Sequence, residues 1–191
     1  MKFLVLPALL ILTGCASVAN RQHSSHSESE RTEYLAAHED WAFSGRLAFA
    51  HAGKGGSARI RWQQTGGTSD VRISGPLAMG SAHLRFDAIQ AQILDAAGQP
   101  VKTGTPEALL AELLQVPAPL PSLPQGLRAF WPGMPERDAA ASAGALRIAQ
   151  WSWRYADWRY EPVRLPGQIE IERGETRLRL VIDQWQELPR D

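Results

Sequence analysis

Trp41-Ala42-Phe43-Ser44-Gly45-Arg46-Leu47-Ala48-Phe49 sets Trp41, Phe43, Leu47 and Phe49 on one parity, with Ala42, Ser44, Arg46 and Ala48 on the other. A period of two sends successive side chains to opposite faces of a strand, so this stretch reads as part of a sheet with one apolar and one wet face. The same pattern recurs outward from it. Ala58, Ile60 and Trp62 alternate with Arg59 and Arg61, Val71 and Ile73 with Arg72 and Ser74, and Ala82, Leu84 and Phe86 with His83, Arg85 and Asp87. Ile89, Ala91 and Ile93 alternate with Gln90 and Gln92, Ile169 and Ile171 with Glu170 and Glu172, and Leu178, Leu180 and Ile182 with Arg177, Arg179 and Asp183. Thr65-Gly66-Gly67-Thr68 supplies turn chemistry between two of these runs. The fold expected is mainly β, a meander of antiparallel strands.

Between the two groups of strands the period changes. Thr105, Pro106 and Glu107 have the order of a cap, a first-turn proline and a first-turn acid, and open a helix carrying Leu109, Leu110, Leu113 and Leu114. Pro117, Pro119, Pro121 and Pro124 then stop it. A second short apolar stretch, Leu127, Ala129, Phe130 and Trp131, ends at Pro132-Gly133. Short helices of this kind cover the apolar face of the sheet. Parity therefore gathers Trp41, Phe43, Leu47, Ile60, Trp62, Leu84, Phe86, Leu178 and Leu180 on one interior with Leu110, Leu113 and Phe130. That interior is either ordinary core or, if loosely filled, a lipid-sized cavity.

The chain has 191 residues, with 20 basic and 20 acidic side chains and therefore no bulk field toward nucleic acid or an anionic surface. Arg59 with Arg61 and Arg177 with Arg179 read as a solvated strand face rather than nucleic-acid contacts, and no nucleic-acid partner is expected. No nucleophile elbow, HExxH pair, Walker loop or Cys-His arrangement occurs. Gly53-Lys54-Gly55-Gly56 lies between two strands and reads as a hairpin loop, not a phosphate cradle. His38, His51 and His83 fall on unrelated elements, and His23 and His26 have no third ligand nearby. No catalytic residue, metal site or cofactor is expected, and the chain reads as a non-enzyme.

The amino terminus carries a different signal. Lys2 precedes an apolar run, Phe3 to Leu12, that is too short to span about 30 Å of hydrocarbon at 1.5 Å per residue, and Leu12-Thr13-Gly14-Cys15 follows as a lipobox. Residues 1–14 are thus expected to be a cleaved lipoprotein signal peptide and Cys15, the chain's one cysteine, the lipidated residue. The alternative, an ordinary secretory signal, lacks an A-x-A site after the apolar run. Ala16 and Ser17, with no acidic residue in second place, favour the outer membrane. Residues 15–31, almost without apolar side chains, are expected to be a flexible tether, Thr32 to about Asp40 a short helix, and 32–191 the folded domain.

Gly75-Pro76-Leu77-Ala78-Met79-Gly80 joins two strands through an apolar loop, against the usual polarity of surface loops. Leu77 and Met79 either fold back onto the core or project toward a membrane or partner, and Pro76 between flanking glycines permits both.

Taken in order, Ser44-Gly45-Arg46, Trp62-Gln63-Gln64-Thr65-Gly66, Gly75-Pro76-Leu77, Leu127-Arg128 leading to Gly133-Met134-Pro135, and Ile182-Asp183-Gln184-Trp185 resemble the outer-membrane lipoprotein LolB family. The resemblance implies an incomplete antiparallel β-barrel whose concave apolar face is covered by short helices, with the twelve interior residues above lining an acyl-chain cavity. It also implies a monomeric receptor, lipid-anchored in the outer membrane with its domain facing the periplasm. Such a receptor accepts acylated lipoproteins from a LolA-like periplasmic carrier and inserts them into outer-membrane lipid, with Pro76, Leu77 and Met79 as the membrane-insertion loop. Two departures stand out: Ala78 and Met79 intervene before Gly80 where the family runs Pro-Leu-Gly, and the family's central tryptophan falls at Phe130 beside Trp131. Two rival readings remain, an outer-membrane lipoprotein with a structural or assembly role and a fully packed core, and a lipid-modifying enzyme marked by a buried histidine with a carboxylate partner.

Overall fold

A computed structural model describes residues 29–75, 80–114, 116–131, 146–159 and 163–187. Helix α1 (29–37) precedes strands β1 (Trp41–His51), β2 (Lys54–Thr65), β3 (Thr68–Ser74), β4 (Ser81–Phe86), β5 (Ala91–Leu94) and β6 (Pro100–Gly104). Helix α2 (Pro106–Leu114), a 3-10 turn (Leu120–Ser122) and helix α3 (Leu123–Leu127) follow. Strands β7 (Leu146–Ile148), β8 (Trp151–Arg159), β9 (Leu165–Arg173) and β10 (Thr176–Glu187) complete the fold.

All ten strands form one open antiparallel sheet in the order β6-β5-β4-β3-β2-β1-β10-β9-β8-β7, so the first strand and the last meet at its centre. In a flat sheet β4 and β9 would lie about 24 Å apart, five steps of about 4.8 Å. Yet Leu84 of β4 and Ile171 of β9 line one interior cavity. The sheet is therefore curled into an incomplete barrel, as cumulative strand twist favours.

Strand parity holds across the centre. Phe43, Leu47 and Phe49 of β1, Ile60 and Trp62 of β2, Val71 and Ile73 of β3, and Leu178, Leu180 and Ile182 of β10 are all buried in one core. Where β10 reaches Gly45 of β1 the register slips, with Ile182 opposite Gly45 and Gln184 opposite Ser44, so Asp183 is the extra residue of a bulge. Asp183 projects outward, where Arg46 meets it at 3.0 Å, and the slip brings Trp185 inward, edge-on to Trp41 and Phe43 with ring centroids 5.8 and 5.3 Å away. Gly45 allows the close crossing, because a Cβ there would run into the Val181 carbonyl.

Four sequence expectations are corrected. Ile89 is not in a strand: it lies in the β4–β5 turn, 84% exposed, because the Asp87 carboxylate accepts from the backbone N–H groups of Ile89 and Gln90 at 2.8 Å each. A second slip between Ile93 and Leu94 buries Leu94 and leaves Ile93 half-buried. Helix α1 covers 29–37 rather than 32–40, because Arg31 is buried against distant backbone carbonyls and draws the earlier turn into the fold. Pro124 does not stop a helix but sits in the first turn of α3, where its missing N–H has no partner to lose. Strands β6, β7 and β8 were not anticipated. Cys15, the rest of residues 1–28, and Pro76, Leu77 and Met79 lie outside the described residues.

Candidate functional site: the apolar interior

The inner face of the curled sheet and the α2–α3 segment line a cavity of about 50 Å³. Nine of the expected lining residues meet there: Phe43, Leu47, Ile60, Trp62, Leu84, Phe86, Leu110, Leu178 and Leu180. Three do not. Trp41 is buried farther along β1, facing Leu35 of α1 and Trp185 across a separate small pocket. Leu113 is half-buried at the far end of α2, and Phe130 is half-buried beside the Arg128 guanidinium, which stands 5.6 Å from the rings of both Phe130 and Trp41.

The remaining wall comes from Val71, Ile73 and Ile171 on the strands and from Ala118, Leu120, Leu123 and Leu127 in the cover. Leu120, Leu123 and Leu127 are spaced i, i+3, i+7, a helical stripe that the intervening prolines disguise. That stripe is the sequence signal for the three leucines of the cover, while Val71, Ile73 and Ile171 share the apolar parity of their strands. Every lining side chain is aliphatic or aromatic hydrocarbon, apart from the indole N–H of Trp62, which faces Gln64 at 3.5 Å. An apolar void of this kind stays dry.

The cover is seated by aromatic contacts at one end and by polyproline chain at the other. Gly126 of α3 lies flat on the six-membered ring of Trp153, so closely that a Cβ would overlap it, and Trp131 meets Trp153 edge to face at 5.4 Å between centroids. Trp153 is fully buried on β8, opposite Ile171 of β9. Helix α2 starts at Pro106 with Glu107 in its first turn and packs on the edge strand β6 and its neighbour β5, where Leu109 abuts Gly104. Between α2 and α3, Pro117 and Pro119 carry no N–H to donate, so apolar contact holds this part of the cover onto the sheet.

Polar groups near the interior are few. The Tyr155 hydroxyl is buried without a hydrogen-bond acceptor, and desolvation holds its pKa well above the ordinary tyrosine value, partly offset by the Trp131 indole. His83 does have a carboxylate partner, Asp70 at 2.8 Å, but both project from the outer face of β4 and β3, away from the cavity. Among the described residues no group of three or more His, Cys, Asp or Glu is placed to hold a metal, and no helix is long and apolar enough to cross a membrane.

Strand β3 ends beside the start of β4, with Ser74 opposite Ser81. Gly75 donates its N–H to the Gly80 carbonyl at 3.0 Å, closing the base of the 76–79 excursion.

The family described as outer membrane lipoprotein LolB matches residues 39–185. The outer-membrane lipoprotein LolB of Xylella fastidiosa (strain 9a5c) is 32% identical over 193 aligned positions, covering 93% of this chain and 89% of the relative. That of Aeromonas hydrophila is 30% identical, covering 97% of this chain and 96% of the relative. Among solved structures, a LolA superfamily protein from Nitrosomonas europaea superposes with a TM-score of 0.50 at 10% identity, over 86% of this chain and 94% of its own, which is a likeness of fold.

Proposed function

Since this chain belongs to the outer-membrane lipoprotein LolB family, whose members serve lipoprotein localisation, we propose that it accepts acylated lipoproteins from a LolA-like periplasmic carrier and inserts them into the outer membrane. The observation that carries this reading is the interior wall: six strands and the α2–α3 cover contribute hydrocarbon to a single apolar cavity. A triacylated lipoprotein exposed to water would lose about 0.8 kcal/mol for every unburied methylene, so its chains have to pass from one apolar interior to another. The wall supplies such an interior and no nucleotide cradle is needed, because transfer runs down a gradient of affinity.

The cavity, at about 50 Å³, is several-fold smaller than the roughly 300–1,000 Å³ of ordinary ligand pockets. Loading therefore requires the cover to separate from the sheet. Dispersion and hydrophobic contact are non-directional, so acyl chains replace Leu120, Leu123 and Leu127 on the sheet face without leaving polar groups unpaired. The protein acts by binding and release, as a monomer and without catalytic chemistry; the His83–Asp70 pair faces outward. Lipidation at Cys15 would tether it to the outer membrane on the periplasmic side, and Pro76, Leu77 and Met79 would lead the cargo into the bilayer.

The small volume also favours a second reading, a lipoprotein with a structural role and a permanently packed core. One experiment separates the two. The purified protein is mixed with a carrier loaded with a radiolabelled, acylated lipoprotein, and the label is followed by affinity pull-down. Label moving to this protein supports the receptor; label staying on the carrier at every concentration supports the packed core.

A further inference from the structure

The outer face of the sheet carries two opposite charge patterns. On β8, β9 and β10 three arginines face carboxylates: Arg177 is opposite Glu172, and both Arg179 and Arg154 are opposite Glu170. On β1, β2 and β3 the arginines face each other. Arg46 is the direct cross-strand partner of Arg59, and Arg61 of Arg72. Like charges directly opposite one another destabilise a sheet. Arg46 is relieved by Asp183 at 3.0 Å and Arg72 more weakly by Asp70 at 3.8 Å, whereas among the described residues Arg59 and Arg61 have no carboxylate within ion-pair distance.

These side chains line an open polar groove of about 640 Å³, where four arginines stand against the single carboxylate of Asp183. The groove also lies beside the apolar loop. Arg59 is the partner of Ser74, the last residue of β3, and the chain leaves the sheet there into the 75–80 excursion. Thirteen residues lie between Cys15 and residue 29, and the fourteen steps they make reach about 50 Å at full extension. A lipid on Cys15 would therefore hold this face permanently within range of a bilayer, at high effective concentration.

We infer that the Arg46–Arg59–Arg61–Arg72 groove binds the phosphate groups of anionic phospholipid, docking the outer face of β1–β3 on the membrane and setting the apolar loop against it. The guanidinium fork suits phosphate oxygens, and a phosphate between opposed arginines converts their repulsion into shared pairing. Each arginine near an anionic surface contributes roughly fivefold to its occupancy. This inference rests on the lipid anchor and loop of the reading above.

The test uses the full lipidated protein reconstituted in vesicles, with Ser74→Cys carrying a spin label in the groove. Water-soluble relaxation agent reports whether the label is shielded, on phosphatidylcholine alone and on phosphatidylcholine with phosphatidylglycerol; flotation of the vesicles reports anchoring. We expect shielding only on the phosphatidylglycerol vesicles, lost in 0.5 M salt and reduced at least about 25-fold, as the docked-to-free ratio, in Arg59→Glu/Arg61→Glu. The double variant should fold with an unchanged or raised Tm, since it turns like pairs into opposite ones. Equal shielding on both vesicle types, or full shielding in the double variant, overturns the inference while flotation persists. Shielding by an acidic carrier protein in place of vesicles overturns it in favour of a protein partner, and shielding by inorganic phosphate without vesicles in favour of a free anion. Loss of flotation instead refutes the anchor, and the inference falls with it.

Discussion

Arg31 and Arg128 each bind the main chain beside the other. Arg31 Nη2 donates to the carbonyls of Arg128 at 2.6 Å and Ala129 at 3.2 Å, while Arg128 Nη1 donates to the carbonyls of His38 at 2.6 Å and Leu35 at 3.1 Å. Arg128 thus satisfies carbonyls left open at the end of α1, and Arg31 fixes the chain just after α3, where Ala129 holds a positive φ of 51°. Helix α1 and the cover over the cavity are joined by this exchange.

Replacing Arg128 should uncouple them. Burial and the neighbouring Arg31 pull the Arg128 pKa down to about 10, still charged at neutral pH, so Arg128→Ala removes two charge-assisted hydrogen bonds and leaves buried carbonyls unpaired. The expected loss is roughly 3 kcal/mol, measured by urea denaturation. Arg128→Lys should recover less than half, because an ammonium lacks the fork and its reach.

Tyr155 predicts an alkaline limit to stability. Its folded pKa is raised by desolvation, so above the ordinary value of 10.0 the unfolded chain loses a proton that the folded chain keeps. Stability contributed by the neutral phenol is complete below pH 10 and falls as pH rises beyond it. Arg128, with its lowered pKa, acts in the opposite sense over the same range. The difference between wild type and Tyr155→Phe isolates the phenol: the gap in unfolding free energy should be flat to pH 10 and then widen in favour of the variant.

Gly126→Ala tests the seat of the cover. A methyl group would enter the Trp153 ring, displacing α3. Overpacking costs about 1–3 kcal/mol, more than the gain of up to about 1 kcal/mol in helix propensity. Melting should fall by a few degrees, and the near-ultraviolet circular dichroism of the Trp131–Trp153 pair should change while the far-ultraviolet β signal is retained.

For the apolar loop, Leu77→Glu is expected to leave the melting curve within about 0.5 kcal/mol of wild type and uptake from the carrier intact, yet abolish delivery to liposomes. A charge on an exposed loop costs the fold little but is expensive among acyl chains. Met79→Glu should give a partial defect. Unfolding by Leu77→Glu would put that side chain in the core, and normal delivery would remove the loop from insertion.

Cys15→Ser should stop incorporation of labelled fatty acid, because a hydroxyl is a poorer nucleophile than a thiolate. Continued labelling would show that the lipobox is not used.

Much of the architecture was written in local pattern. A period of two over Trp41–Phe49, Ala58–Trp62 and Leu178–Ile182 needs no long-range information to sort its faces, and those residues are buried together. Thr105-Pro106-Glu107 marked the start of α2 at the residue where it begins. The alternation of Trp151, Trp153 and Tyr155 with Ser152 and Arg154 was equally present, and it is strand β8. What the sequence could not carry were the events that depend on a partner strand or a distant group. The Asp183 bulge that turns Trp185 inward exists only because β10 meets β1 across 140 residues of chain. The Arg46–Arg59 and Arg61–Arg72 oppositions follow from register, which fixes neighbours that composition leaves unspecified. The cavity's walls are likewise a tertiary matter, since curling decides which apolar faces converge and how much space they leave. Local sequence chose the faces of the strands because side-chain alternation is a property of one chain segment; only closure of the sheet chose what those faces enclose, because that depends on all of them at once.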